Sequence, residues 1–111
     1  VNMSLSKKNM ASTCRTRVEI RKFDGKNFAL WKEMMQDMLI IRREVKAIRH
    51  RQKHALMTTE EWRSIDEIAR STIRMHLAEN VYFSMVKETT TFSLWEKLQV
   101  VYEKKFSSKL I

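Results

Sequence analysis

The stretch FDGKNFALWK, residues 23–32, decides the fold of this chain. An Asp-Gly pair favours a tight turn, and Gly25, the single glycine of the sequence, stands in it. Aromatic residues follow at helical spacing, with Phe28 and Trp31 about one turn apart. The stretch therefore predicts a turn that leads directly into an amphipathic helix.

Working outward from this stretch, the composition favours helices throughout. The chain has 111 residues, one glycine and no proline, whereas the tight turns of a β-rich domain draw on both residue types. The length fits one small domain, which at this size buries about two-thirds of its unfolded surface. We expect an all-α bundle of about four to five helices over residues 21–111, preceded by a flexible basic arm over residues 1–20.

The first helix is predicted from about Asn27 to Arg43, with Asp24 or Asn27 as its cap. Its apolar stripe consists of Phe28, Trp31, Met35, Met38 and Leu39. The next stretch, residues 42–54, is strongly basic. The apolar residues Val45, Ala47 and Ile48 predict a short helix within it.

The second half of the chain predicts two longer helices. Thr58 and Glu61 have the spacing of a capping box, which opens a helix to about Glu79. Its inner stripe is Trp62, Ile65, Ala69, Ile73 and Leu77, with Ile68 and Met75 as candidates to widen it. A last helix begins near Phe92, after a threonine cap, and runs towards Ile111. Its inward residues are Leu94, Trp95, Leu98, Val101 and Tyr102.

Three motifs stand at consistent separations along these helices. The first contains Phe23, Gly25, Asn27, Phe28 and Trp31, with Met35 and Leu39 behind it. The second contains Trp62, Asp66 and Ala69, followed by Ile73 and Leu77, and the third contains Leu94, Trp95, Leu98 and Tyr102. In this order, the motifs resemble the amino-terminal part of the Gag polyprotein of copia-type retrotransposons.

The resemblance implies an α-helical domain like the amino-terminal half of a capsid protein. It also implies that the domain self-associates and contributes to a shell around the element's RNA. The zinc knuckle that many such proteins carry, a Cys-Cys-His-Cys cluster, does not occur in this sequence, which has one cysteine. The resemblance implies no cofactor.

The formal net charge of +9 predicts attraction to polyanions. The candidate nucleic-acid-binding residues are the six cations of the basic stretch: Arg42, Arg43, Lys46, Arg49, Arg51 and Lys53. If all six contacted phosphates, the log-log salt slope on duplex DNA would approach about −5. No aromatic residue lies among them to stack on bases. Non-specific phosphate contact and a merely solvated surface both remain open.

The sequence offers no set of groups for catalysis or for metal binding. His50 and His54 lie four residues apart, but the further ligands that zinc requires are not found near them. Asp66 is expected to pair with Arg70 or to cap a neighbouring segment. Cys14 has no base at a recognisable spacing. The three tryptophans are interpreted as core residues rather than as ligand platforms.

We therefore expect a structural Gag-type domain rather than an enzyme. Its partners would be further copies of itself and RNA, bound without sequence specificity, within a cytoplasmic particle; the nucleus is the alternative location. Two alternatives remain for function. One is a Gag-derived module that the host has co-opted to bind another protein, and the other is a monomeric, non-specific RNA-binding domain. A membrane partner is not expected, because no apolar run approaches the roughly 20 residues of a membrane span.

Overall fold

A computed structural model describes residues 20–103, and helices account for most of that range. In chain order they are α1 (Phe28–Ile41), α2 (Lys46–Arg49), α3 (Thr59–Met75), α4 (Glu79–Met85) and α5 (Thr91–Leu98). A π-helical segment, Gln99–Glu103, continues directly from α5. The predicted all-α bundle is confirmed. The predicted arm, apart from Ile20, and the predicted end of the last helix lie outside the described residues, as does Cys14.

All five helices contribute to one core. The buried apolar side chains are Phe23, Phe28, Trp31, Met35, Leu39, Ala47, Ile48, Ala69, Ile73, Leu77, Val81, Met85, Leu94, Trp95 and Leu98. Residues of α1, α3 and α5 recur in this set every three or four positions, because that spacing places side chains on one face of a helix. The apolar run at Val81, which is too short to assign by its period, forms α4.

The turn before α1 is fastened to the junction between α3 and α4. Phe23 is only 2% exposed, its N–H donates to the carbonyl of His76 at 2.8 Å, and its own carbonyl accepts from the N–H of Ala78 at 2.8 Å. These bonds form a single parallel bridge with Leu77. The turn is therefore held against the junction between α3 and α4 and forms part of the bundle.

An aromatic cluster surrounds Phe23. Its ring centroid lies 5.3 Å from that of Phe28, 5.2 Å from that of Trp31 and 4.8 Å from that of Tyr102, which meets it edge-on. The ring centroids of Trp31 and Trp95 lie 6.0 Å apart. Such pairs are worth about 0.5–1.5 kcal/mol beyond their buried area. The cluster joins the two ends of the described chain.

Backbone geometry explains the single glycine. Gly25 has φ +107°, a conformation that residues with a Cβ rarely adopt. Asn27 follows in the left-handed region at φ 58°, ψ 47°. The predicted side-chain cap at Asn27 is wrong, because capping requires an extended backbone that aims the side chain at the first turn. Asp24 does not cap the helix either; its Oδ1 accepts from the N–H of Lys26 at 3.1 Å.

The predicted capping box of α3 is confirmed. The N–H of Glu61 donates to Thr58 Oγ1 at 3.0 Å, and the N–H of Thr58 donates to Glu61 Oε1 at 2.9 Å. The helix ends at Met75 rather than at about Glu79. It stops there because Leu77 leaves the helix to pair with Phe23. Leu77 is still buried.

Several residues expected to face inwards lie at the surface. Ile68 and Met75 are 42% and 72% exposed, and Trp62 is half-buried outside the core. At 17 residues, α3 is roughly 25 Å long and extends beyond the short helices packed against it. Its first turn and its outer flank are therefore left uncovered. Val101 is 39% exposed because the π-helical segment changes the periodicity after α5.

Asp66 fastens α3 to α5. Its Oδ1 accepts from the N–H of Thr91 at 2.9 Å, Arg70 donates to its Oδ2 at 2.5 Å, and its carbonyl accepts from Thr91 Oγ1 at 2.6 Å. Both sequence alternatives, the Arg70 pair and the cap of a neighbouring segment, are therefore realised together. Thr90 completes the cap by accepting from the N–H of Ser93 at 3.1 Å.

Candidate functional site

The six candidate nucleic-acid-binding cations all lie at the surface. They occupy the turn after α1, helix α2 and the loop that follows it. Ala47 and Ile48 are buried, so α2 is held against the core by its apolar residues. The cations project outwards, where a polyanion can reach them. We call residues 42–53 the basic segment.

The path of the basic segment is set where α1 ends. The N–H of Arg43 donates to the carbonyl of Ile40 at 3.0 Å, and the N–H of Glu44 donates to that of Leu39 at 2.8 Å. This pair of bonds is a Schellman motif, which requires a left-handed residue at the position held by Arg43. Arg43 accordingly has φ 62°. The helix predicted to reach Arg43 therefore ends at Ile41.

Glu44, the only acid of the basic segment, is buried rather than displayed. It is 7% exposed, and its carboxylate accepts from Arg42 Nε at 3.2 and 3.3 Å. Its carbonyl accepts from the N–H of Ala47 at 3.1 Å. Because the one negative charge points inwards, the outer surface of the segment is almost purely positive.

The cations differ in how they are engaged. Arg51 lies 3.7 Å from Glu96 and stacks over the ring of Phe92, 4.5 Å from its centroid. Lys53 Nζ donates to the carbonyl of Met57 at 3.0 Å. Among residues 20–103, Arg43, Lys46 and Arg49 have no carboxylate within salt-bridge distance. These three cations are the best placed to contact phosphates.

Phe92 is an aromatic residue that sequence reasoning did not associate with the basic segment. It belongs to α5 and is distant from Arg51 along the chain. No local spacing signals such a pair, since only the packing of α5 beside α2 creates it. A guanidinium held on an aromatic face contributes roughly 0.5–1 kcal/mol at an exposed site.

The outer face of α1 forms a second surface, defined by Leu30, Glu33, Asp37, Ile40 and Ile41. The three apolar side chains are 55%, 48% and 79% exposed, in that order along the chain. Both acids lie at the surface, and neither has a salt-bridge partner among the described residues. At helical spacing this face lies opposite the buried stripe of α1.

A half-open groove lies beside the start of α1. Its volume is about 700 Å³, and its lining includes Ile20, Phe23, Leu30, Trp31 and Met34. Arg21, Lys22 and Lys26 supply a basic rim. The lining has no histidine or cysteine that could act as base or nucleophile beside Asp24. Met34 is half-buried here.

The histidines are placed apart from any ligand set. His54 Nδ1 accepts from the N–H of Leu56 at 3.2 Å, and His76 Nδ1 lies 2.8 Å from the carbonyl of Thr72. No group of three or more His, Cys, Asp or Glu side chains in residues 20–103 is arranged to hold a metal ion. Across the same residues, every helix is too short or too polar to cross a lipid bilayer.

The residues of the three motifs serve the fold. Ten of them are buried: Phe23, Phe28, Trp31, Met35, Leu39, Ala69, Ile73, Leu77, Trp95 and Leu98. Leu94 is buried as well, whereas Trp62, Asp66 and Tyr102 are half-buried, and Gly25 and Asn27 lie exposed in the turn. The motifs therefore gather around one core instead of converging on a cleft.

Comparison with known proteins finds one informative similarity. The chain is 34% identical over 91 residues to the "Retrovirus-related Pol polyprotein from transposon TNT 1-94" of Nicotiana tabacum. The match covers 80% of this chain and 7% of that polyprotein, and it falls in the polyprotein's amino-terminal region. No family profile and no solved structure matches the chain. The similarity supports a copia-type retrotransposon origin for this protein.

Proposed function

We propose that this retrotransposon-derived chain is a structural Gag-type domain that self-associates and helps to enclose RNA. The observation that carries the proposal is its similarity to the amino-terminal region of a retrotransposon polyprotein. The three motifs resemble copia-type Gag in the same part of the chain. In this proposal the domain binds other macromolecules and performs no chemistry.

The surface of the domain supports this proposal. Exposed apolar side chains on α1 provide area that copies of the chain can bury, and apolar burial stabilises an interface by roughly 25 cal/mol per Å². A net charge of +9 makes the copies repel one another. Salt screens that repulsion, with a Debye length of about 8 Å at physiological ionic strength. RNA neutralises it directly.

The proposal is tested by measuring mass in solution. Sedimentation velocity and light scattering on the full chain, at two salt concentrations and with or without RNA, follow its oligomeric state. We expect the mass to rise with protein concentration, and to rise further when salt or RNA is added. An unchanged monomer in all four conditions contradicts the proposal.

The basic segment favours one alternative, a monomer that binds RNA without sequence specificity. The supporting observation is that Arg43, Lys46 and Arg49 have no carboxylate partner among residues 20–103. This alternative predicts tight, salt-dependent RNA binding by a chain whose mass stays that of a monomer apart from the bound RNA.

The test of RNA binding replaces those three cations with glutamine. The magnitude of the log-log salt slope on single-stranded RNA should fall by about 0.7 for each phosphate that the variant no longer neutralises. Lys87→Gln, which removes an exposed cation outside the basic segment, is the matched control and should leave the slope nearly unchanged. Equal reductions per cation in the control and the triple variant would show that only net charge matters.

A further inference from the structure

We propose that the outer face of α1 docks on the same face of a second copy, antiparallel and around a two-fold axis beside Ile40. The inference rests on the proposed function, since it names the surface through which the domain self-associates. The occupant is a second copy of this chain.

The apolar centre of the surface lies next to the proposed axis. Ile40 and Ile41 are 48% and 79% exposed at the end of α1, and Leu30 is 55% exposed at its beginning. Because α1 ends at Ile41, an axis beside Ile40 brings together the last turns of the two helices, while each Leu30 lies ten positions, roughly 15 Å, from the axis. The π-helical segment does not cover this face, because the Lys32–Glu103 ion pair at 3.0 Å holds it against a different flank of α1.

Charge identifies the occupant. Glu33 and Asp37 lie on the outer face without a salt-bridge partner among residues 20–103, so this face repels RNA and anionic lipid. Arg43 and Lys46 follow the same helix directly and are likewise unpaired within that range. The chain therefore carries the acidic and the basic half of a complementary surface side by side.

An antiparallel arrangement brings these halves together. Asp37 lies three positions before Ile40, and Arg43 lies three positions after it. With the axis beside Ile40, the proposed contact places each Asp37 opposite Arg43 of the other copy, where the chain turns directly after α1. An isologous contact of this kind closes as a dimer and repeats every pair twice. It also explains how a strongly basic chain can approach itself.

The experiment exchanges the charges of one pair. In a homodimer, Asp37→Lys places a second cation against each Arg43, and Arg43→Asp places a second carboxylate against each Asp37. Each variant alone should dimerise at least roughly tenfold more weakly than the wild type, because like charges then face each other.

A mixture of the two variants provides the decisive measurement. In the heterodimer, the introduced lysine of one variant faces the introduced aspartate of the other, so this pair again has opposite charges, in reversed order. The second pair keeps its native Asp37 and Arg43. The mixture should therefore form a heterodimer of near wild-type affinity. Sedimentation of the full chains, with one variant carrying a mass tag, measures it.

Two controls separate the interface from net charge. Glu67→Lys and Lys87→Asp make the same changes of charge at exposed positions on α3 and after α4. We expect each control to dimerise nearly as well as the wild type. Asp is tolerated in the left-handed conformation of position 43, so Arg43→Asp should fold normally, as circular dichroism would show.

Specific outcomes overturn the inference. If the wild type self-associates but the mixed variants do not recover, the interface lies elsewhere and the proposed function stands. If the mixture forms long oligomers instead of a dimer, the contact is head-to-tail. If the wild type stays monomeric at every concentration, with or without RNA, the proposed function fails as well. Cross-linking of α1 to residues 1–19 of the same chain in such a monomer would identify the segment that covers this face.

Discussion

The backbone adopts positive φ at both ends of α1, but different residue types stand at these positions. Before the helix, the chain passes through positive φ at Gly25 and Asn27, the residue types that accept it most easily. After the helix, the chain passes through φ 62° at Arg43, where glycine is the usual residue. The same kind of turn is therefore built from permissive residues at one end and from a charged, less suitable residue at the other.

The surroundings of the two turns explain the difference. The first turn leads away from Phe23, which is 2% exposed and lies 4.8 Å from the ring of Tyr102. The second turn opens into the basic segment, where Arg43 is exposed. The turn before α1 therefore begins at a buried core residue, whereas the turn after α1 leads the chain into the exposed basic segment.

The largest expected loss of stability comes from a substitution in the turn before α1. Phe23→Ala removes the ring around which the aromatic cluster is built, and should lower the free energy of unfolding by about 3–5 kcal/mol. A small domain has roughly 5–15 kcal/mol in total, so this variant would be only marginally folded. Urea denaturation followed by circular dichroism measures the change. Ile41→Ala at the other end is the control and should stay within about 0.5 kcal/mol. Similar losses of stability for both variants would contradict the comparison.

Gly25→Ala should have a smaller effect, a destabilisation of about 1–3 kcal/mol, because φ +107° strains any residue with a Cβ. Crowding is not the cause, since an added Cβ would lie 3.7 Å from Tyr102 Cε1, an ordinary contact distance. The same denaturation measurement tests both points. Gly25→Ala should cost as much in a Tyr102→Ala background as in the wild type. Recovery of stability in the double variant would show that crowding matters after all.

Much of the helical framework follows from local sequence. Trp31, Met35 and Leu39 are buried as their spacing predicts, and Thr58 and Glu61 form the capping box that their spacing predicts. These features depend on residues within one or two turns of each other. A single sequence contains all the information that such short-range patterns need.

The remaining features depend on contacts between distant parts of the chain. Leu77 leaves α3 because Phe23 pairs with it, and Trp62 lies outside the core because α3 extends past its neighbours. Within the candidate site, the exposure of the six cations fits their hydrophilic character. The stacking of Arg51 on Phe92 and the left-handed backbone of Arg43 arise only from the tertiary path of the chain.

The smallest expected effect comes from placing glycine at a left-handed position in each of the two turns. Arg43→Gly relieves left-handed strain of about 1–2 kcal/mol, offset by roughly 0.5–1 kcal/mol from the greater freedom of glycine in the unfolded chain. The net expectation is a stabilisation of about 0.5–1 kcal/mol. Asn27→Gly should change stability by less, because asparagine already tolerates this conformation. Urea denaturation of both variants tests the difference, and equal shifts would contradict it.

Arg43→Gly also separates stability from assembly. It removes the cation that faces Asp37 of a second copy in the proposed dimer, while it relaxes the backbone of its own chain. The variant should therefore unfold at higher urea than the wild type and yet sediment with a lower average mass. If it gained in both respects, Arg43 would have no role at the interface, and the turn after α1 would serve the fold alone.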